Sequence, residues 1–255
     1  IDPSFERAGA PRQALLHDCL RSLDDATGGA LVVRHGDPVD EVPAIADEVD
    51  AATVYVAKDF GPYGRRRDEQ VADALRGGGR RLNGVGSPYA VDPGSVLKAD
   101  GEPYSVFTPF SRRWREHGWE RPERGPRDPE WVVASSDGVP ERPHVEFEIP
   151  SATEDAVLSR WRRFRDGGLD EYADRRNFPG VEGTSRLSPY LKYGVLHPRQ
   201  LLAESDALDE SHRTFQSELA WRDFYADVLH RRPNTAWQNL DQRFDRIELD
   251  TDRAA

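Results

Sequence analysis

The feature that most constrains the fold is a change of hydrophobic period near the middle of this 255-residue chain. Up to residue 120, short apolar runs alternate with segments whose apolar residues recur every three or four positions. From Ala152 onward only the helical period occurs. The first part therefore predicts a parallel sheet with crossover helices, and the second predicts a helical unit.

Three strands and four helices are predicted before residue 120. The strand candidates are "ALVVRHGDP", "ATVYVAKDF" and "RRLNGVGSPYAV", and the helix candidates are "PRQALLHDCLRSLDDA", "DEVPAIADEVDA", "RRRDEQVADALRG" and Phe107–Glu116. Residues 121–150, rich in proline, glycine and charge, predict an interdomain connector. The later helix candidates are "TEDAVLSRWRRFRDGGLDEYADRR", "TSRLSPYLKYG" and "HRTFQSELAWRDFYADVLHRR". The predicted domains are thus residues 1–120 and 151–255.

Charge and cysteine content narrow the function classes. The chain has 46 acidic and 35 basic side chains and a net charge of −11. This argues against nucleic-acid binding by the whole surface, while a local basic groove needs only a few arginines. A single cysteine, Cys19, cannot form an internal disulfide and fits a reducing cytoplasm. Apolar runs stay well below the roughly 20 residues that a membrane span needs.

One segment, "VEGTSRLSPYLKYG", has the composition of an anion site at a helix start. Thr184 or Ser185 could cap the helix by accepting a backbone N–H, or Ser188 followed by Pro189 could place the cap later. Free N–H groups at such a start, together with Arg186, favour a phosphate. A plain capped helix with a solvent-facing arginine remains the alternative.

A second segment places unusual side chains on one helical face. Glu218, Trp221, Arg222 and Tyr225 stand at i, i+3, i+4 and i+7. The aromatic rings could stack on a base, and a partly desolvated carboxyl group would favour its protonated form. The alternative is a Glu–Arg pair with the tryptophan in the core. Upstream, Arg176 is either a basic residue at a helix end or a contact to a nucleic-acid phosphate.

Together these segments resemble the DNA photolyase/cryptochrome family. "YADRRNFPGVEGTSRLSPYLKYGVLHPRQ" is similar to the first half of its flavin-binding signature, and "FQSELAWRDFY" to its "ELxWRxFY" helix. "GEPYSVFTPFSRRW", "RHGDP" and "DFGPYGRRRDEQV" also match. The resemblance implies an α/β N-terminal domain with a Rossmann-like parallel sheet, followed by an all-α FAD-binding domain, both incomplete in this sequence.

The resemblance also implies a function. Class I-like members of the family are lyases that bind ultraviolet-damaged DNA, flip out a pyrimidine dimer and split it with an electron from light-excited, reduced FAD. The alternative is a cryptochrome that signals rather than repairs; retention of Glu218 and Trp221 favours repair. A flavin-free adenine-nucleotide-binding or scaffold protein built on the N-terminal sheet is a third hypothesis. We expect damaged DNA as the partner, no membrane and a monomer.

Site residues follow from the matched positions. The resemblance assigns FAD contacts to Tyr172, Thr184, Ser185, Arg186, Leu187, Ser188, Phe215 and Arg222. It assigns contacts to DNA or the dimer to Arg176, Glu218, Trp221 and Tyr225, with Glu218 as the catalytic residue and no metal. Gly64 stands where folate-type members have an acidic residue, which disfavours a folate antenna and leaves a deazaflavin, another flavin or none. Since the family extends beyond both ends of this sequence, residues 1–255 are expected to bind FAD weakly or not at all and not to repair DNA.

Overall fold

The computed structural model describes residues 8–123, 125, 129–132, 134–205 and 209–247. In chain order the elements are α1 (Ala10–Ala26), α2 (Pro38–Glu48), β1 (Thr53–Val56), α3 (Pro62–Gly77), β2 (Arg81–Gly84), α4 (Phe107–His117), α5 (Glu154–Gly167), α6 (Tyr172–Arg175), α7 (Ser188–Tyr193), α8 (Pro198–Ala203) and α9 (Glu210–Arg231). Two short 3₁₀ turns follow, Pro233–Ala236 and Gln242–Arg246. Within the described ranges, no helix combines the length and the apolar character that crossing a bilayer requires.

The sheet has two parallel strands joined by a helix. Thr53 of β1 lies opposite Arg81 of β2, and Val56 lies opposite Gly84. α3 connects the strands and packs against α2 around a small apolar core. That core consists of Ala46, Val71 and Leu75, with Val39, Val42, Ala51, Val54 and Leu82 around it. The structure thus confirms the strand–helix–strand order predicted for the second and third apolar runs.

The prediction of a strand over residues 30–38 is wrong. Residues 30–37, all of them described, form no strand. Their backbone bonds to the connector instead: the Val33 N–H donates to Ser136 Oγ at 2.9 Å, and the Asp137 N–H donates to the Val33 carbonyl at 2.7 Å. An apolar run indicates burial, whereas a strand also requires a neighbouring strand, and here the connector occupies that position.

The connector follows the surface of the first helix. The described part of residues 121–150 contains neither helix nor strand. Arg142 Nε lies 2.9 Å from an Asp18 carboxylate oxygen on α1, and His17 Nδ1 lies 3.1 Å from the Glu141 carbonyl oxygen. These contacts hold the second half of the connector against the α/β part of the chain.

The larger core belongs to the helical region but includes α4. Phe110 and Trp114 of α4 are buried, and the Phe110 ring centroid lies 5.1 Å from that of Phe224 on α9. Ala90 and Val91, from the loop after β2, are part of the same core. Packing therefore joins the predicted first domain to the helical region, and the loop after β2 lies directly against α9.

Two helix predictions in the second half need correction. The helix predicted over "TEDAVLSRWRRFRDGGLDEYADRR" is divided, because α5 ends at Gly167 and α6 begins at Tyr172. The Gly168 and Leu169 N–H groups both donate to the Phe164 carbonyl and close the end of α5. Sequence analysis also missed α8, which begins at Pro198 behind a His197 cap that accepts from a backbone N–H. The break after α5 turns Tyr172 into the core against α9.

Candidate functional site

A cleft of about 940 Å³ lies between the α/β part of the chain and the helical region. One side follows β1 and β2, as expected for the carboxyl edge of a parallel sheet. Its lining residues on that side are Ala57, Lys58, Asp59, Arg67, Pro88 and Tyr89. On the helical side they are Tyr172, Thr184, Ser185, Arg186, Leu187, Ser188, Leu191, Lys192, Leu201, Phe215, Glu218, Leu219, Arg222, Tyr225, Ala226 and Leu229. Every residue to which the resemblance assigns an FAD contact lines this one cleft.

The segment of residues 183–188, here called the hydroxyl segment, forms an exposed edge of the cleft. Gly183 anchors it, because a Cβ added there would lie 2.6 Å from the Arg175 carbonyl oxygen. Thr184 and Ser188 are exposed, and Arg186 has a φ of 52° and lies 3.0 Å from Glu182. The local backbone thus turns the polar side chains outward.

The cap predicted at Thr184 or Ser185 is wrong, whereas the later helix start predicted around Ser188 and Pro189 is correct to within one residue. α7 begins at Ser188, and Leu187 is in the N-cap position, so neither Thr184 nor Ser185 caps the helix. Leu187 is buried in the core, and its carbonyl accepts the first helical hydrogen bond from Tyr190. Burial of Leu187 therefore sets where α7 begins. With only 6 residues, α7 adds little dipole to the site, so an anion there would depend on side-chain donors.

An aromatic floor lies beneath the hydroxyl segment. Phe215 stacks on Trp161, with ring centroids 5.4 Å apart and planes at 20°. Tyr172 meets the edge of Phe215 at 5.6 Å and 82°. Both Tyr172 and Phe215 are buried, and burial raises the pKa of the Tyr172 phenol. The floor is therefore apolar, rigid and uncharged at neutral pH, which suits a flat ring better than an ion.

Arg222 connects the two sides of the cleft. Its guanidinium donates to the Pro88 carbonyl at 2.6 Å and to the Leu191 carbonyl at 3.2 Å, and it lies 4.6 Å from the Tyr89 ring centroid. Burial lowers the pKa of this guanidinium, and Asp223 opposes that shift. The sequence allowed an ion pair between Glu218 and Arg222. Among the described residues this pair does not form, because Arg222 bonds to backbone carbonyls of two other segments.

Glu218 pairs with Arg176 instead. Arg176 Nη1 lies 2.6 Å from Glu218 Oε1, and the same guanidinium lies 5.2 Å from the Tyr172 ring centroid. The hydrogen bond to Glu218 raises the pKa of Arg176. The sequence favours a protonated, donating Glu218 carboxyl group, whereas in this structure Glu218 accepts a hydrogen bond within an ion pair at the rim of the cleft.

Trp221 does not share the cleft with its helical neighbours. It stacks on Phe107 of α4, with ring centroids 3.6 Å apart and planes at 7°, and on Tyr225 at 5.3 Å and 22°. Glu218, Arg222 and Tyr225 line the cleft, and Tyr225 is 61% exposed. The single face predicted for the four residues is therefore divided, because α4 lies against one side of it.

Two acidic residues of α9 were missed by sequence analysis. Asp223 and Asp227 are buried, and each accepts a backbone N–H from the loop after β2. Arg231 lies 3.0 Å from Asp227. The signal was present as two aspartates four positions apart, followed by an arginine four positions later, a spacing that places them on one side of the helix.

Gly64 lies against an acidic side chain rather than replacing one. It is buried in the first turn of α3, and a Cβ added there would lie 1.9 Å from Asp59 Oδ2. The Asp59 side chain therefore occupies the space that a side chain at position 64 would need. In the described part of the chain, His, Cys, Asp and Glu side chains do not form a group of three or more that could hold a metal.

Comparison with known proteins identifies clear relatives. A family model for DNA photolyase matches residues 1–129. The deoxyribodipyrimidine photo-lyase of Synechococcus sp. is 33% identical over 276 residues, covering 96% of this chain, and that of Halobacterium salinarum is 34% identical, covering 100%. The chain spans 57% of the length of each of these two relatives.

Solved structures show the same fold. A bacterial class III photolyase from Agrobacterium tumefaciens superposes with a TM-score of 0.79 at 24% identity, covering 96% of this chain and 55% of its own. A cryptochrome from Synechocystis sp. gives 0.77 at 20% identity, covering 96% of this chain and 60% of its own. Both have an α/β domain followed by a helical domain, which confirms the predicted fold class.

Proposed function

This chain belongs to the DNA photolyase family, and we propose that the protein uses light and FAD to split pyrimidine dimers in ultraviolet-damaged DNA. One observation carries the proposal: every residue matched to the family's FAD contacts lines the same cleft. Those residues come from three separate elements of the chain, α6, the hydroxyl segment and α9. Relatives at 33% and 34% identity that carry the name deoxyribodipyrimidine photo-lyase support repair over signalling.

The cleft suits a dinucleotide cofactor. Its volume of about 940 Å³ lies within the range of about 300 to 1,000 Å³ that is usual for small-molecule sites. The hydroxyl segment would hold the phosphates through Thr184, Ser185 and Ser188, with Arg186 and Lys192 nearby to balance their charge. Tyr172 and Phe215 would border the apolar part. Reduced FAD, when bound and excited, would supply the electron that opens the dimer.

The rim of the cleft would hold the damaged DNA. Arg176 would leave Glu218 and bind a backbone phosphate, since a guanidinium forms charge-assisted, bidentate hydrogen bonds with a phosphate as it does with a carboxylate. Glu218 would then be available to hydrogen-bond the dimer as the catalytic residue. Tyr225 offers an exposed ring for a flipped base, and Trp221 supports that ring from behind and would meet the base at its edge.

A second chromophore, if one binds, would be a deazaflavin or another flavin rather than a folate. Gly64 supplies no carboxylate of its own, and the nearby Asp59 is turned into the space where a side chain at position 64 would stand.

We also propose that the chain is divided into two domains. These are residues 1–120 and 151–255, joined by the connector of residues 121–150.

FAD binding is tested with the protein as its own gene encodes it, because residues 1–255 alone are expected to bind FAD weakly or not at all; the flavin-free protein is titrated with FAD and flavin fluorescence is followed. We expect saturable quenching. Replacing both hydroxyls, Thr184→Val with Ser188→Ala, should raise the Kd about tenfold, because bonds to charged groups are lost. The matched control is Ser105→Ala with Thr108→Val, two exposed hydroxyls outside the cleft. A wild-type chain that shows no saturable quenching, or a control that weakens binding equally, contradicts the assignment.

Repair is tested with the protein as its own gene encodes it, because residues 1–255 span 57% of the matched relatives. Dimer-containing oligonucleotides are illuminated with blue light, and the return of thymine absorbance is followed. We expect light-dependent repair that Glu218→Ala slows. A protein that binds FAD but splits no dimers under blue light would be a cryptochrome-type signalling protein instead.

A further inference from the structure

The loop of residues 87–94, here called the cavity-wall loop, connects the sheet to the cleft. It follows β2, and its Pro88 and Tyr89 line the cleft opposite the hydroxyl segment. Ala90 and Val91 are buried in the large core. The loop is thus the part of the α/β region that enters both the cleft and the helical core.

The region around α8 fixes the start of this loop. His197 Nε2 lies 2.8 Å from the Ser87 carbonyl oxygen. Arg199 Nε donates to the Ala90 carbonyl at 3.0 Å. Burial lowers the pKa of His197, so its ring is neutral at physiological pH and its Nε2 carries the proton that it donates here. These side chains hold carbonyl groups on either side of the residues that line the cleft.

α9 fixes the remainder of the loop. Arg222 donates to the Pro88 carbonyl, and Asp223 Oδ2 accepts the Val91 N–H at 3.0 Å. One turn later Asp227 Oδ1 accepts the Gly94 N–H at 2.7 Å, and Arg231 donates to the Gly94 carbonyl at 3.0 Å. Gly94 has a φ of 94°, a conformation that glycine adopts readily, so the backbone is shaped to meet these partners.

Asp223 has the most demanding position in this arrangement. It is 2% exposed, and the oxygen that accepts from Val91 also accepts the Trp114 indole N–H at 2.9 Å. A buried carboxylate costs free energy that a well-packed apolar residue would not. Core stability alone therefore does not account for an aspartate here. A role in holding the cavity-wall loop and the Trp114 indole at one point does account for it.

We propose that Asp223 is a positioning residue for the cofactor cleft: by holding Val91 it fixes the cavity-wall loop so that Pro88 and Tyr89 form the wall beneath Arg222. The inference rests on the proposed function, because it gives this wall a role in binding FAD. Asp223 lies outside the cleft lining and acts through the loop. Its effect reaches the cleft within a few residues, since Arg222 bonds Pro88 and covers the Tyr89 ring.

The test compares three variants of the protein as its own gene encodes it. Asp223→Ala removes the acceptor, and Asp223→Asn retains an oxygen that can accept from both Val91 and Trp114. Gln216→Ala is the matched control: Gln216 is 2% exposed on the same helix and donates to Ser205, away from the loop and the cleft. All three change a buried polar side chain of α9, and only the first releases the loop.

The first readout is the wall itself, measured without cofactor. Tyr89 is labelled with tetranitromethane and quantified by peptide mass spectrometry, and amide hydrogen exchange is followed in residues 87–94 and in α5. In Asp223→Ala we expect Tyr89 labelling and loop exchange to rise by about threefold or more while α5 stays near wild type. Asp223→Asn should restore wild-type values. If exchange rises equally in α5 and the loop, Asp223 is only a core residue and the proposal is overturned.

The second readout is FAD affinity by fluorescence quenching. Asp223→Ala should raise the Kd about tenfold, Asp223→Asn should restore it, and Gln216→Ala should leave it within about twofold. An unchanged Kd in an Asp223→Ala protein whose loop has loosened overturns the proposal. A wild-type chain that takes up no FAD contradicts the proposed function instead, and Tyr89 labelling still decides whether Asp223 holds the wall.

Discussion

Besides the cavity-wall loop, the cleft has two walls, α9 and the hydroxyl segment. These two walls use their polar groups differently. On α9, Arg222, Asp223 and Asp227 bond to backbone atoms of neighbouring segments. On the hydroxyl segment, Thr184 and Ser188 are exposed, and the start of α7 has no side-chain cap. Polar groups that satisfy one another shape a wall, whereas outward-facing groups are available to a ligand.

The two walls also differ in what supports them. α9 has 22 residues and is buried along much of its length, whereas α7 has 6 and is held through Leu187 and the Gly183 contact. The large aromatic core supports α9, and the close approach of Gly183 to the Arg175 backbone supports the hydroxyl segment. Substitutions behind each wall should therefore affect stability and binding in different proportions.

The largest expected effect is behind α9. Trp161 is buried and stacks on Phe215, so Trp161→Ala should lower the free energy of unfolding by about 3 to 5 kcal/mol. Urea denaturation followed by circular dichroism measures this. Trp237→Ala, at a tryptophan that is 67% exposed, is the control and should change stability by less than about 0.5 kcal/mol. Equal effects would mean that the aromatic floor does not support the wall.

The next effect is the pH dependence that Asp223 brings to α9. Burial raises the pKa of its carboxyl group to about 6, against the lowering influence of the Trp114 indole, the Val91 amide and the Arg222 guanidinium. The folded state therefore binds a proton that the unfolded state releases near pH 4. The stability that Asp223 contributes is present below about pH 4 and is lost as the pH rises through about 6.

Asp223→Asn removes this titration. The unfolding free energy of the variant relative to wild type should rise by about 3 kcal/mol at most between pH 4 and pH 7. Denaturation of both proteins at each pH measures the difference, in which the titration of groups common to both cancels. A difference that stays constant across this range would show that Asp223 titrates as an exposed carboxyl group does.

Behind the hydroxyl segment the decisive position is Gly183. A Cβ there would lie 2.6 Å from the Arg175 carbonyl oxygen, so Gly183→Ala should move the segment and cost about 1 to 3 kcal/mol. Gly180→Ala is the matched control, since its Cβ would meet nothing within 4 Å. We expect Gly183→Ala to weaken FAD quenching more than Gly180→Ala does. If Gly183→Ala loses stability but still binds FAD as the wild type does, the hydroxyl segment is not part of the FAD site.

The sequence predicted the two walls unequally, for physical reasons. Periodicity located α9 and the β1–α3–β2 order, because these depend on apolar residues that recur along the chain. It left two possible starts for α7, because hydroxyl side chains occur at both, and burial of Leu187 decides for the later one. It missed Asp223 and Asp227, since their partners lie 132 and 133 residues away, and the spacing of the two aspartates and Arg231 shows which side of α9 they share but not that this side is buried.

The rim illustrates the same limit. The helical spacing of Glu218 and Arg222 allowed a pair within α9, but Glu218 found Arg176, 42 residues earlier. Trp221 was expected beside a base, but α4 brings Phe107 onto its face. Local spacing predicts which residues share a helical face, and tertiary packing decides what covers that face.

The smallest expected effect is at this rim, where the two walls meet. The side chains of Arg176 and Glu218 are 30% and 38% exposed, so their ion pair should contribute less than about 1 kcal/mol. A double-mutant cycle with Arg176→Gln and Glu218→Gln measures the coupling, which should decrease as salt is added. The neighbouring Arg175–Glu171 pair, more exposed at 41% and 63%, is the control and should couple more weakly. A coupling well above 1 kcal/mol would make the rim part of the rigid α9 wall, and Arg176 could then leave Glu218 for a DNA phosphate only at a considerable cost in binding free energy.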